Sequence, residues 1–258
     1  MSGIVLDNVN FGYSGTRCLE SVGFHLDKGG FYGLIGPNGS GKSTLLDLIS
    51  GYLQPQSGSV MLDGRAVSRY RRSSLANLLT LVPQAVTFNF DFSVYDTVLM
   101  GRHPHIGRFS RPSNDDHEYV QNALEMLEIT RLSHRSIRQL SGGEKQRVTI
   151  ARALAQDTEY ILLDEGTANL DINHSISIMK SLKDLSTGGK TILAALHDLN
   201  MALAFCDSVI VLRDGQVHQF GKTEEVINSD LIADIYNVSA DLVEREHGDR
   251  QLFYRYSH

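Results

Sequence analysis

The 258-residue sequence predicts an α/β fold with a helical insert, and three observations carry that prediction. Short, largely apolar runs at Phe31–Ile35, Tyr160–Leu163 and Thr191–Leu196 have the length and composition of strands buried in a parallel sheet. Further strand patterns at Gly3–Val9, Phe24–Leu26, Ser59–Leu62 and Leu78–Val82 fill the first third, divided by turn signals such as Asp27-Lys28-Gly29-Gly30 and Asp63-Gly64. The middle differs: Val94–Met100, Asp115–Leu127 and Glu144–Leu154 carry apolar residues at helical spacing. The expected organisation is one domain over residues 1–258. Its α/β core is 1–84 and 157–258, and its helical subdomain is 85–156.

Composition narrows the function classes. Hydrophobic residues make up 41% and charged residues 21%, ordinary globular usage. A formal net charge of -6 speaks against broad nucleic-acid binding, which needs a basic face, so no nucleic-acid partner is expected. Cys18 and Cys206 are too few for a disulfide framework and fit a reducing compartment. The N-terminal stretch lacks the basic-then-apolar pattern of a secretory leader. No run approaches the ~20 apolar residues that span a bilayer. Work at a membrane would therefore require another polypeptide to hold this one there.

Gly36-Pro-Asn-Gly-Ser-Gly-Lys42-Ser43 fits G-x-x-x-x-G-K-[ST], after an apolar strand and before a helical run near Lys42. Glycines let successive backbone N–H groups turn inward around phosphate oxygens, and the helix N-terminus adds its positive end. Lys42 would reach the β- and γ-phosphates, and the Ser43 hydroxyl would ligate Mg²⁺. Tyr160-Ile-Leu-Leu-Asp164-Glu165 is an apolar strand ending in two carboxylates, which at the C-terminal edge of a parallel sheet face the ligand crevice. Asp164 suits the metal's outer shell, and Glu165 suits orienting or deprotonating the attacking water. Leu140-Ser-Gly-Gly-Glu-Lys-Gln-Arg147 begins with a capping box, Ser141 and Glu144, which predicts a helix start; its two glycines leave the helix N–H groups open to a second anion.

Taken together and in this order, these segments resemble the Walker A, signature, Walker B and D-loop motifs of the ATP-binding cassette (ABC) family over nearly the whole chain. The resemblance implies a P-loop NTPase (RecA-like) core with an antiparallel β subdomain and an inserted helical subdomain. It also implies a head-to-tail homodimer in which each ATP lies between one subunit's Walker A and the other's signature. By this likeness Gly36, Pro37, Asn38, Gly39, Ser40, Gly41, Lys42, Ser43 and Thr44 cradle the phosphates, and Tyr13 stacks on adenine. Ser141, Gly142 and Gly143 contact ATP from the partner, and Asp171 faces the partner through the D-loop. Gln84 touches Mg²⁺ and the attacking water, Asp164 completes the Mg²⁺ set with Ser43, and His197 contacts the γ-phosphate. Glu165, His197 and Gln84 are the expected catalytic residues. Gly166 stands where the family usually has proline, leaving the backbone after Glu165 free in φ, which bears on hydrolysis or coupling and not on nucleotide binding.

The segment Gly101-Arg102-His-Pro104-His105 resembles ATPases of the importers for iron-siderophore, haem and cobalamin, sometimes extended to molybdate-like cargo. This implies two membrane permease subunits, an external or periplasmic substrate-binding protein, and a peripheral place on the cytoplasmic face of the inner membrane. His103, His105 and His117 lie near one another in sequence without a clear ligand set. Arg69, Arg71 and Arg72 read as a solvated basic face. Residues 240–258 show weak pattern and receive no chemistry. A soluble non-transport cassette ATPase and an exporter subunit are the rival readings.

Overall fold

The computed structural model describes residues 2–84, 86–88, 90–166, 170–244 and 250–255. Residue 85, where the helical insert is expected to begin, and residues 167–169 of the D-loop segment lie outside these, as do 245–249 and 256–258 of the C-terminal stretch. In chain order the first elements are β1 (Ile4–Tyr13), β2 (Thr16–Leu26), β3 (Phe31–Ile35), α1 (Lys42–Ile49), β4 (Ser57–Leu62), β5 (Arg65–Ala66), α2 (Arg72–Ala76) and β6 (Leu79–Val82). Then come α3 (Val94–Leu99), α4 (Asn114–Met126), α5 (Gly142–Ala155), β7 (Tyr160–Asp164), α6 (Ile172–Thr187), β8 (Thr191–Ala195) and α7 (Leu199–Phe205). The remainder is β9 (Ser208–Arg213), β10 (Gln216–Lys222), α8 (Thr223–Val226), α9 (Ser229–Tyr236), β11 (Ala240–Glu244) and β12 (Arg250–Tyr254).

The chain divides into two units, residues 1–69 with 191–258, and residues 70–190. In the first, β3 pairs in parallel with β8 and β9, and every residue of β3 and β8 is buried, as their continuous apolar runs require. A separate antiparallel sheet runs β2-β1-β4-β5. The mixed α/β class with an antiparallel sheet is thus the one expected. Strand lengths differ from the sequence reading, for β1 continues to Tyr13 and β2 starts at Thr16 rather than near Phe24. Register shifts between Leu6 and Gly12 and a left-handed Asn8 (φ 48°) explain why: each bulge breaks the two-residue alternation that marks a strand. The C-terminal stretch also has structure, since β11 and β12 form an antiparallel pair from Ala240↔Tyr254 to Glu244↔Arg250.

In the second unit β6 and β7 are parallel neighbours, and α3, α4 and α5 pack around Val94, Val98, Val120, Leu124 and Val148, all fully buried. Each of these helices opens on a serine N-cap, Ser93, Ser113 or Ser141. Ser113–Asp116 and Ser141–Glu144 form complete reciprocal capping boxes, the second as the sequence predicts. Among the described residues no helix is long and apolar enough to cross a membrane.

Candidate functional site

The loop from Gly36 to Gly41 joins β3 to α1 within the first unit. Gly36 has φ 148°, and a Cβ there would lie 2.1 Å from the Leu212 carbonyl oxygen, so only glycine fits. Pro37 to Ser40 make a tight turn closed by Ser40 N–H donating to the Pro37 carbonyl at 3.2 Å, with Asn38 and Gly39 exposed at its tip. Gly41 caps α1 in the left-handed region, φ 103°, so the side chains of Lys42, Ser43 and Thr44 start the helix. Thr44 is buried and accepts from the Cys18 thiol at 3.3 Å, while Ser43 is exposed. Lys42 is buried and folds back on its own loop, its Nζ donating to the carbonyls of Gly36 at 2.9 Å and Pro37 at 3.1 Å.

Ser40 Oγ is the one buried side-chain polar atom among the described residues with no hydrogen-bond partner. Such an atom costs about 1–3 kcal/mol of stability unless something meets it, and here it sits in the glycine-rich loop between β3 and α1. Ser40→Ala is therefore expected to raise the thermal midpoint of the protein, measured by melting curves. A variant that melts lower would contradict this.

In the second unit the strand register brings two polar side chains together. Val82 pairs with Leu163, so Gln84 and Glu165 each lie two residues beyond paired positions. Their side chains meet: Gln84 Nε2 donates to Glu165 Oε2 at 2.6 Å. Glu165 itself is left-handed, φ 53°, a conformation that costs a non-glycine residue about 1–3 kcal/mol and that clusters at functional sites. Gly166 is not among the residues of positive φ, and the nearest atom to a Cβ there would be in the Leu163 side chain, at 3.0 Å. Its carbonyl accepts from the buried Gln146 Nε2 at 2.9 Å, a contact the sequence reading missed.

At the α5 start, Ser141 Oγ accepts from Glu144 N–H, and Glu144 Oε2 accepts from Ser141 N–H at 2.8 Å. The Ser141 backbone donor, chiefly, holds the Glu144 carboxyl below its usual range. A Cβ at Gly142 would meet nothing within 4 Å, so packing does not demand glycine there. Asp171 caps α6, accepting from the His174 N–H at 2.9 Å, and its second oxygen lies 2.7 Å from His174 Nδ1. That backbone donor, before the imidazole, lowers the Asp171 carboxyl. In the first unit His197 is exposed between β8 and α7, and Asp198 after it caps α7. Tyr13 ends β1, half-exposed, with its ring edge-on to Phe11 at 4.9 Å.

Residues 19–168 match the ABC transporter family. The chain belongs to that family. This cassette is 37% identical over 239 residues to the ferric enterobactin transport ATP-binding protein of Escherichia coli (strain K12), covering 92% of this chain and 88% of that one. It is 35% identical to the iron(3+)-hydroxamate import ATP-binding protein of Bacillus subtilis (strain 168), with 94% and 91% covered. To the cobalamin import ATP-binding protein of Halobacterium salinarum (strain ATCC 29341 / DSM 671 / R1) it is 39% identical over 85% of its length, but it spans only 55% of that relative. Among solved structures, a metal-chelate type ABC transporter in an inward-facing conformation matches with TM-score 0.84 and 29% identity, covering 99% and 98% of the two chains. A dimeric cassette bound to ADP and Pi matches with TM-score 0.76 and 30% identity, covering 85% and 98%.

The Gly101–His105 segment of the cassette is tied to the C-terminal end of α5. Arg102 is buried, its Nε donating to Asp116 Oδ1 and its Nη1 to the Ala155 carbonyl, both at 2.9 Å, with its guanidinium 4.1 Å from the Tyr119 ring centroid. His105 Nε2 lies 2.8 Å from the Gln156 carbonyl, and His117 Nδ1 lies 2.5 Å from the Tyr95 hydroxyl. These histidines thus have protein partners, and no cluster of metal-ligating side chains occurs among the described residues. Met100, His103, Pro104 and Arg152 line a cavity of about 300 Å³ on this unit. Arg69, Arg71 and Arg72 are exposed.

Proposed function

We propose that this cassette binds ATP with Mg²⁺ and hydrolyses it as one of two ATPase subunits that drive a membrane importer for metal chelates. The Gln84–Glu165 hydrogen bond at 2.6 Å is the observation that carries hydrolysis: a carboxylate at a strand end, held by an amide, is placed to orient water. The loop glycines, Lys42, and the unmet Ser40 hydroxyl suit a polyphosphate. The Ser43 hydroxyl, the Asp164 carboxylate and the Gln84 amide oxygen are hard oxygen donors of the kind Mg²⁺ takes, and the ion would offset charge on the phosphates.

The residue roles are those that the resemblance to the family implies. Tyr13 stacks on adenine; Gly36 to Thr44 hold the phosphates; His197 meets the γ-phosphate. Ser141, Gly142 and Gly143 reach the nucleotide of the partner subunit, and Asp171 lies near the same interface. Residues 85–156 act as the helical subdomain that moves against a core of 1–84 and 157–258. Because the terminal phosphate touches both subunits, ATP favours the closed pair, and its cleavage releases it.

Transport rests on the relatives. Those described above are ATP-binding proteins for ferric enterobactin, iron hydroxamate and cobalamin, which share the character of large metal chelates. The partners are accordingly a second copy, two permease subunits and, through them, an external binding protein; the cassette sits on the cytoplasmic face of the membrane. Co-expression with candidate permeases tests this. The cassette is expected to stay bound to a multi-helix permease in detergent, with ATP turnover raised by chelate-loaded binding protein. Turnover of a free cassette that associates with none of them would refute the transport role.

A further inference from the structure

We propose that Gln146 is a positioning residue for ATP hydrolysis, acting through the peptide that follows Glu165. The inference rests on Glu165 being the residue that activates water. Gln146 lies on α5, one turn into the helix that begins at Ser141, and is 6% exposed. A buried amide of this kind must find partners. Its Nε2 donates to the Gly166 carbonyl at 2.9 Å in a buried setting.

This bond holds the carbonyl of Gly166, the residue that follows Glu165 in the chain. Gly166 has no side chain of its own to fix its backbone, and the atoms nearest to where a Cβ would stand belong to the buried Leu163 side chain. Glycine gives the backbone wide φ/ψ freedom, and Glu165 is held at φ 53°, which it would leave if unrestrained. On the upstream side β7 fixes the strand by pairing with β6. On the downstream side the Gln146 amide supplies the restraint. The carboxylate is then held between two amides: Gln84 on its own oxygen, and Gln146 on the next carbonyl. Since Gln146 shares a helix with Ser141, a displacement of that helix would be transmitted to the carboxylate through this bond.

Two substitutions test it, with Glu165→Gln alongside. Gln146→Met keeps the length and loses the donor; kcat for ATP is expected to fall about 10- to 100-fold, the cost of a misplaced reacting group, with KM and ATP affinity within about twofold. Gln146→Glu keeps the shape and donates only when protonated, which burial favours. Its kcat relative to the unmodified protein should therefore be highest near pH 6 and fall towards pH 8.5, whereas that of Gln146→Met should not vary. A purely packing role would not produce this pH profile. Melting curves at each pH give the folded fraction. The proposal is overturned if Gln146→Met keeps kcat within twofold, if its loss matches a loss of folded protein, or if Gln146→Glu shows no pH dependence of its own. Unchanged turnover in Glu165→Gln would overturn the reading of Glu165 and this proposal with it, whereas a dead Glu165→Gln beside an active Gln146→Met removes only the role of Gln146.

Discussion

Glu165→Gln is expected to lower ATP turnover by about two to four orders of magnitude, the range ascribed to a positioned acid or base, and to leave ATP binding intact. The substitution keeps the shape of the side chain and removes its charge. Gln84, 2.6 Å away, can rotate its amide to meet the new group, so the local fold should persist. The variant should then accumulate as an ATP-bound dimer, because phosphate contacts that close the pair are made and not released. Size-exclusion chromatography with ATP and Mg²⁺, alone and with the permease, checks this beside a phosphate-release assay. A variant that stays monomeric in both settings would undercut the shared-nucleotide arrangement.

The second large effect is on stability and lies away from the nucleotide loop. Arg102→Met should destabilise the protein by about 3–5 kcal/mol in urea unfolding, the usual result of removing one partner of a buried ion pair. The side chains of Arg102 and Asp116 are 7% and 10% exposed, so little water can replace the lost contact, and the Ala155 carbonyl loses its donor as well. Acid should act on the same place. The Ser113 backbone N–H, foremost, and the Arg102 guanidinium hold the Asp116 carboxyl at about 2 against the opposing pull of burial. Since that value lies below the roughly 3.9 of an unfolded aspartate, the stabilisation is complete above about pH 4 and disappears as pH falls towards about 2. Arg102→Met should shrink this acid-side loss, because only the Ser113 contacts remain. An unchanged acid limb would mean that Arg102 does not contribute to it.

How much of this was legible in the sequence depended on how local the signal was. The phosphate loop is contiguous, so its strand, glycines and lysine could be read directly, as could the capping box at Ser141. Asp164 and Glu165 could be placed at a strand end by the apolar run before them. Their meeting with Gln84 could not: it depends on the register that sets Val82 against Leu163, which is a property of the sheet and not of either strand. Gln146 was hidden for the same reason, since a polar residue on an amphipathic helix shows its partner only when the helix is packed. The extent of β1 and β2 was obscured by bulges, and β11 and β12 by their half-exposed residues, of which only Ala240 and Leu252 are buried. Gly101–His105 resembles a segment of metal-chelate importers, and its sequence carries no local sign that Arg102 and His105 anchor it to the end of α5.

The C-terminal pair of strands has a consequence for how the protein is made. Asn200 stands three residues after His197, and its side-chain amide donates to the Leu252 carbonyl at 3.3 Å and accepts from the Leu252 N–H at 2.8 Å, the two bonds that a neighbouring strand would supply. The turn carrying His197 is therefore braced by residues synthesised some fifty positions later. While the ribosome is still translating that stretch, the phosphate loop and β8 can already have formed, but the support behind the histidine cannot. The cassette gains this brace only after translation has passed Leu252, so a nascent chain halted earlier would lack it.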